Sequence, residues 1–268
     1  MKHSLKYALI FAGLGAGLAS APAMAHFFPK TLGTFDGTPG ATATLTASVS
    51  GNYGWIDGTD NDWSDTHRVV AYQFTLTNDA EIQLSFEQAV ASGGRNGLTP
   101  GFSLHRGHVH DPFTTPGGAD HDYSASSTTL RNIDSGGAFT EGSFRALSDW
   151  RITNEAPLDE VAPSVFTYIG HAYDGFQDYG TGVIPGGDNL LDNMVMQSFH
   201  LMAGNYTAFV GGSDYANQFA ALKTYGMSGT ITVISAIPEP ETYAMLLAGL
   251  GLMGVMARRR KEADPLNG

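Results

Sequence analysis

The sequence predicts an all-β protein, folded as an antiparallel two-sheet sandwich. Between residues 26 and 236, short runs alternate apolar and polar side chains, and no long run has the spacing of an amphipathic helix. The chain has 34 glycines and 12 prolines, and clusters of Gly, Pro and Asn separate the runs. Strand side chains point alternately to the two faces of a sheet, so this pattern buries one face of each strand. Eight or nine short strands are typical of a two-sheet sandwich.

Residues 1–25 predict a secretory signal peptide. Two lysines precede an apolar run at residues 7–18, and Ala23 and Ala25 form a small-residue cleavage site. A retained N-terminal anchor is the alternative. Cleavage predicts that residues 26–236 form one mature sandwich domain, which is long enough to bury a sizeable core.

The strands follow one another along this domain. Val70–Thr77 and Glu81–Glu87 alternate most regularly, and the turn at Asn78–Ala80 predicts that they pair as a hairpin with one buried face. A further strand begins at Phe102. The other predicted strands are Ala41–Ser50, Phe144–Thr153, Val165–Ala172, Phe199–Leu201, Tyr206–Val210 and Met227–Ile234.

Charge and cysteine content exclude several functions. The chain carries 14 Lys and Arg against 26 Asp and Glu. The two end segments hold six of the basic and four of the acidic residues, which leaves a body with a net charge of about −14. Such a body argues against nucleic acid or an anionic membrane surface as a partner, and it suits cation binding or solubility outside the cell. Without cysteine the chain has neither disulfides nor a thiol nucleophile.

Residues 237–268 predict a membrane-anchored tail. Pro238 and Pro240 cannot both lie inside a helix, so they mark an extended linker. An uncharged run follows and predicts a single transmembrane helix at about 242–257. The helix would span only about 22 Å, but the long side chains of the basic cluster at 258–261 extend its reach toward the roughly 30 Å of the bilayer core. These cations stay cytoplasmic, so the body lies outside the inner membrane.

This tail resembles the PEP-CTERM sorting signal of Gram-negative bacteria. The resemblance implies transient anchoring in the inner membrane, processing by an exosortase and delivery to the cell surface or the extracellular matrix. It also implies an association with exopolysaccharide and biofilm. By the resemblance, the recognition residues are Pro238, Glu239, Pro240, Arg258, Arg259 and Arg260.

The body of the chain, from about Val69 to Ile234, resembles a second family. Bacterial pre-peptidase C-terminal domains are small jelly-roll-like sandwiches with similar strand sequences. The resemblance implies a non-catalytic accessory or ligand-binding module. The segments that carry it are Tyr72–Thr77, Phe102–Leu104, Leu201–Thr207 and Gly229–Val233.

Two clusters of side chains are candidate metal sites. Four aspartates within nine residues predict a calcium loop, since short loops with several carboxylates supply the oxygen ligands that Ca²⁺ prefers. They are Asp57, Asp60, Asp62 and Asp65, and the alternative is a solvated turn. Four histidines on and after a strand predict a Zn²⁺ or Cu²⁺ site, and the alternative is an exposed loop with incidental histidines. They are His105, His108, His110 and His121.

The aromatic residues give a third candidate site. Exposed tryptophans and tyrosines would stack on sugar rings, whereas buried ones would form the core. The residues are Trp55, Trp63, Trp150, Tyr53, Tyr123, Tyr173 and Tyr179.

Three functions are consistent with these patterns. The first is an exported, non-enzymatic surface or matrix protein that is sorted by its C-terminus. The second is a carbohydrate-binding module that is assisted by calcium. The third is a metal-dependent enzyme that uses the loop from His105 to His121. The sequence contains neither a Gly-x-Ser-x-Gly nucleophile elbow nor a His-Glu-x-x-His zinc motif, so it favours the first.

Overall fold

The fold is described from a computed structural model of the chain. The structure describes residues 29–56, 62–90, 94–108, 143–151, 164–176, 178, 182–217, 223–236 and 240–262. The predicted signal peptide, with Ala23 and Ala25, lies outside this part of the chain.

The described residues form twelve β-strands and one long helix. The first strand begins at Lys30 and the last ends at Ala236, while the helix lies in the tail. The strands are β1 (Lys30–Phe35), β2 (Thr42–Ser50), β3 (Trp63–Asp65), β4 (Val70–Leu76), β5 (Ala80–Gln88), β6 (Pro100–Arg106), β7 (Ser143–Arg145), β8 (Trp150–Arg151), β9 (Val165–Tyr173), β10 (Met194–Leu201), β11 (Gly204–Gly212) and β12 (Thr224–Ala236), and the helix is α1 (Pro240–Glu262).

Two large sheets and one small one contain these strands. The larger sheet has the order β1-β4-β11-β6-β9-β8, the second has the order β10-β5-β12-β2, and β3 pairs with β7. Pairing is antiparallel throughout, apart from the parallel pair of β1 and β4. Without its edge strands β1 and β8, the larger sheet has four strands in the order β4-β11-β6-β9. Together with the second sheet, these strands have the order of a jelly roll. The antiparallel sandwich is therefore confirmed.

The core lies between the two large sheets. Phe86 of β5 lies between two rings of the larger sheet, with its centroid 5.4 Å from that of Tyr72 and 4.9 Å from that of Phe102. These three side chains are fully buried. The alternation of β4 and β5 therefore buries one face of each strand, as the sequence indicates.

The hairpin predicted from this alternation is wrong. β4 pairs with β1 and β11, whereas β5 pairs with β10 and β12 in the other sheet. The turn at residues 77–79 therefore carries the chain across the core and not along one sheet. Both strands still bury their apolar faces, because those faces meet across the sandwich.

A second layer covers the outer face of the larger sheet. Phe209 of β11 contacts Trp150 and Phe144, with ring centroids 5.4 Å and 5.0 Å apart. Trp150 stacks on Phe166 at 4.5 Å. As a result both faces of β4 and β11 are largely buried, which the period-two pattern alone does not indicate.

The tail forms a helix, but the predicted transmembrane helix at about 242–257 is not supported. In the described part of the chain, no helix has the length and hydrophobicity that crossing a membrane requires. The apolar run at 243–257 within α1 has fifteen residues, which rise only about 22 Å as a helix. Pro240 is the first residue of α1, a position where proline leaves no hydrogen bond unmade.

We expect Gly229→Ala to destabilise the sandwich by about 1–3 kcal/mol. A Cβ atom on Gly229 would lie 2.8 Å from Phe86 and 2.9 Å from Tyr72, so the two sheets would have to separate locally. Denaturant unfolding measures this change. Gly249→Ala is the matched control, because a Cβ atom there meets nothing within 4 Å. Equal stability of the two variants would contradict the packing described.

Candidate functional site

The sorting residues of the tail lie on and just before helix α1. Pro240 begins the helix and Arg258 is exposed near its end, while Arg259 and Arg260 continue it. Pro238 and Glu239 lie outside the described residues. Apolar side chains of α1 are exposed to solvent over half or more of their surface: Met245, Leu247, Leu250, Leu252, Met253, Val255 and Met256. The helix is therefore available to a membrane or an enzyme.

Two of the four aspartates predicted to bind calcium are paired with arginines. An oxygen of Asp62 lies 2.9 Å from the guanidinium of Arg145, and its other oxygen accepts a hydrogen bond from the amide of Leu147 at 3.0 Å. Asp65 pairs with Arg68 at 3.0 Å. Asp62 thus fastens the start of β3 to the segment around β7, whereas Asp65 stabilises the turn after β3. Asp57 and Asp60 lie outside the described residues, so the calcium loop stays a prediction.

The two described histidines of the predicted metal site contact different backbone carbonyls. His105 is fully buried beside Phe209, and its Nε2 donates to the carbonyl of Ser148 at 3.3 Å. Burial lowers the pKa of His105 to about 4, so the ring is neutral at pH 7. His108 Nε2 lies 2.9 Å from the carbonyl of Phe74. His110 and His121 lie outside the described residues, so this site also stays a prediction.

Of the two alternatives for the aromatic residues, the structure supports core packing for the tryptophans. Trp55, Trp63 and Trp150 are at least 97% buried. Trp55 donates to the hydroxyl of Ser103 at 2.7 Å, and Trp63 lies under the guanidinium of Arg145 at 4.5 Å. Tyr53 and Tyr173 are buried as well, whereas Tyr123 and Tyr179 lie outside the described residues. The five described members of this candidate site are therefore packing residues.

The structure places three other carboxylates together. Asp174 directly follows β9, and Asp188 and Asp192 lie on the segment that leads to β10. One carboxylate oxygen from each lies within 4.8 Å of the others. Asp174 is 1% exposed, whereas the other two carboxylates are open to solvent. We call these three residues the carboxylate cluster.

Backbone amides hold the cluster in place. Asp174 accepts hydrogen bonds from the amides of Asp192 and Asn193, at 3.1 Å and 3.0 Å. Asp188 accepts from the amides of Gly175 and Leu190, at 2.7 Å and 3.0 Å. The carboxylates therefore keep their positions although they repel one another.

Burial perturbs the central carboxylate. Loss of hydration raises the pKa of Asp174 to about 6, and the charges of Asp188 and Asp192 act in the same direction. The backbone amides of Asp192 and Asn193 act against this rise. A cation that replaced the lost hydration would favour the ionised form, since carboxylate oxygens are the ligands that hard cations prefer.

Sequence reasoning missed this cluster because it weighed local density of aspartate. Asp174 and Asp188 are separated by thirteen residues, and only the return of the connection between β9 and β10 brings them together. A signal was present in Asp188-Asn189 and Asp192-Asn193. Asn189 and Asn193 have φ angles of 63° and 67°, a conformation that asparagine tolerates better than most residues.

Comparison with protein families finds a match in the tail. Residues 236–261 match the family described as "PEP-CTERM protein-sorting motif". The chain carries a PEP-CTERM sorting motif. The match includes all six predicted recognition residues and confirms the resemblance drawn from the tail. The motif implies an exported protein that is processed at a membrane by an exosortase.

Comparisons of the whole chain find only distant likenesses. No characterised protein matched by sequence. One similar structure, from Methylomicrobium album BG8, is CorA, described as a surface-associated copper-binding protein (14% identity, 77% of this chain, 100% of CorA, TM-score 0.46). MopE of Methylococcus capsulatus, a secreted protein in which an oxidized tryptophan facilitates copper binding, has 16% identity, 75% and 86% coverage and a TM-score of 0.42. A pre-peptidase C-terminal domain of Bacillus anthracis collagenase has 12% identity, 76% and 95% coverage and a TM-score of 0.27.

We expect the pH dependence of folding stability to report the ionisation of Asp174. Its pKa in the folded protein, about 6, lies above the ordinary aspartate value of 3.8, so the folded state binds the proton more tightly. The contribution of Asp174 to stability is therefore complete below pH 3.8 and is lost as pH rises through 6. Asp174→Asn should remove this component, and Asp188→Asn should reduce it by removing one negative neighbour.

Denaturant unfolding between pH 3.5 and 8 measures this effect. Glu87→Gln on β5 is the control, because it removes a carboxylate from the other sheet. An identical pH profile for the wild type and Asp174→Asn would show that burial does not perturb this group.

Proposed function

We propose that this chain is an exported surface or matrix protein whose β-sandwich is non-catalytic and is delivered by exosortase processing of the tail. The observation that carries the proposal is the PEP-CTERM motif at residues 236–261. The motif directly follows β12, the last strand of the sandwich. Cleavage near Pro238 would therefore release the folded domain with all its described strands intact.

The acidic body supports this destination. A net charge of about −14 keeps a domain soluble and prevents its attachment to anionic lipid once the basic cluster at 258–261 has been removed. The cations of the tail are concentrated in the basic cluster at 258–261, so processing that removes this cluster lowers the affinity of the protein for an anionic membrane surface. The motif's family implies an association with exopolysaccharide. The negative charge of the body favours this location over the anionic surface of the membrane.

The described side chains favour binding over catalysis. His105 is enclosed by aromatic rings and donates to a backbone carbonyl, so it does not serve as a general base in this state. Asp62 and Asp65 are occupied by arginines. The metal-dependent enzyme that uses His105 to His121 is therefore the weaker hypothesis.

A carbohydrate-binding module assisted by calcium is the second candidate. The outer face of the smaller sheet, and not the tryptophans, offers a surface for hydroxyl-rich polymers. Thr42 and Thr44 of β2 face Thr232 and Thr230 of β12, with hydroxyl oxygens 3.2 Å and 2.9 Å apart. These pairs form an exposed, uncharged row that suits hydrogen bonds to sugar hydroxyls.

We expect replacement of Pro238-Glu239-Pro240 by three alanines to block processing. The full-length precursor should accumulate in the membrane fraction, because the exosortase no longer recognises the tail. Intact mass and cell fractionation measure the outcome. Glu262→Ala with Asp264→Ala, which alters the residues after the basic cluster, is the control and should leave release unchanged. Normal release of the triple-alanine variant would contradict the proposal.

We expect calcium at millimolar concentration to raise the melting temperature if the second candidate is right, because a ligand that binds only the folded state stabilises it. Asp57→Asn with Asp60→Asn removes ligands of the predicted loop, and Asp188→Asn with Asp192→Asn removes two ligands of the carboxylate cluster. The pair that abolishes the shift identifies the site. No shift in the wild type would reject calcium assistance, and it leaves the sorting proposal untouched.

A further inference from the structure

Strand β10 and Met202, the residue that follows it, carry two pairs of side chains that prefer soft metal ions. Val195 and Leu201 are buried, so the residues on either side of each point away from the core. These are Met194 and Met196 around Val195, and His200 and Met202 around Leu201. The same spacing thus presents two thioethers at one end of the strand, and an imidazole with a thioether at the other.

The exposure of these methionines calls for an explanation. Met196 is 47% exposed and Met202 is 60% exposed, whereas Met227, in the neighbouring strand β12, is fully buried. Methionine normally fills gaps in a protein core, where packing stabilises it. A methionine side chain that is exposed to solvent loses most of that stabilisation. Because the chain has no cysteine, the sulfur atoms of these methionines are the sulfur donors that are accessible to solvent on the described part of the sandwich.

The spacing within each pair matches chelation of one ion. Two residues apart on a strand, the Cα atoms lie about 6.7 Å from each other. A metal held linearly between two sulfur atoms at roughly 2.3 Å from each requires the sulfur atoms to be about 4.6 Å apart. Methionine has three rotatable side-chain bonds, so the two thioethers can approach to this distance without movement of the backbone.

The surroundings leave the pairs accessible. β10 is the edge strand of the smaller sheet, so only β5 flanks it within that sheet. Across this pairing, Met194 lies opposite Glu87, Met196 opposite Ser85, and His200 opposite Glu81. Within the described residues, the His200 imidazole has neither a hydrogen bond nor an ion pair, so its nitrogens are free to bind a metal. The neighbouring carboxylates add attraction for a cation.

We propose that β10 binds soft monovalent cations, Cu(I) above all, at the Met194–Met196 pair and at the His200–Met202 pair. Thioether sulfur selects Cu(I) over the hard cations that carboxylates take, and imidazole also suits copper. Binding is by coordination alone, without electron transfer. These residues are separate from the carboxylate cluster and from the predicted histidine site, and the proposal does not depend on the sorted destination.

Silver(I), a redox-inert probe of the same ligand preference, tests this proposal. The full-length protein is labelled with ¹³C at the methionine methyl groups, and each resonance is assigned by replacement of one methionine with leucine. We expect Ag(I) to shift the resonances of Met194, Met196 and Met202 at a lower concentration than that of Met245, with one ion bound at each of the two proposed sites. Met227 serves as the buried reference, and Met245 of α1, 74% exposed and isolated from other methionines, is the matched control for a single thioether.

Variants separate the two sites. Met194→Leu with Met196→Leu should lower the number of bound ions by one, and so should His200→Ala with Met202→Leu. Cu(I), titrated without oxygen against a chromophoric chelator, should show the same losses. The proposal is overturned if Met245 responds at the same concentration as the strand methionines, which indicates unselective thioether binding, or if the strand resonances do not move. Because the replaced side chains point away from the core, we expect the variants to stay folded. A loss of bound metal then reports the loss of ligands and not unfolding.

Discussion

The contact of Phe86 with Tyr72 and Phe102 is the constraint on which the rest of the structure depends. One ring from the smaller sheet lies between two rings of the larger sheet, and Gly229 leaves room for this arrangement. Because each sheet has an apolar face that only the other can cover, successive strands cross from one sheet to the other. The connections therefore lie at the ends of the sandwich, and one of them carries the carboxylate cluster.

The sequence predicts much of the secondary structure because period-two alternation depends on local burial. It indicates β2, β4, β5, β6 and β9–β12, but not which strands pair. Alternation is the same whether a turn joins neighbours in one sheet or partners across a core, which explains the error at β4 and β5. The sequence does not predict β1, because its six residues include two threonines and a glycine and lack a clear alternation. This strand is held in place by parallel pairing with β4.

The candidate sites were harder to predict because metal sites and structural ion pairs use the same residue types. Asp62 and Asp65 belong to a dense run of aspartates, yet Arg145 and Arg68 take up their carboxylates. Asp174 lies outside any dense run of aspartates in the sequence, yet the return of the chain gives it two acidic neighbours. By contrast, the sorting motif is read directly from the sequence, since proline, an uncharged run and a basic cluster act through their order.

Strand β12 has a mechanical consequence for a protein tethered by its tail. It is the last strand before α1, and it is paired along both edges, with β5 on one side and β2 on the other. Tension on the tail pulls β12 along its own axis, so its ladder of hydrogen bonds carries the load in shear, many bonds at once. A terminal strand at the edge of a sheet would instead peel off bond by bond. The domain thus resists extraction while its tail is held.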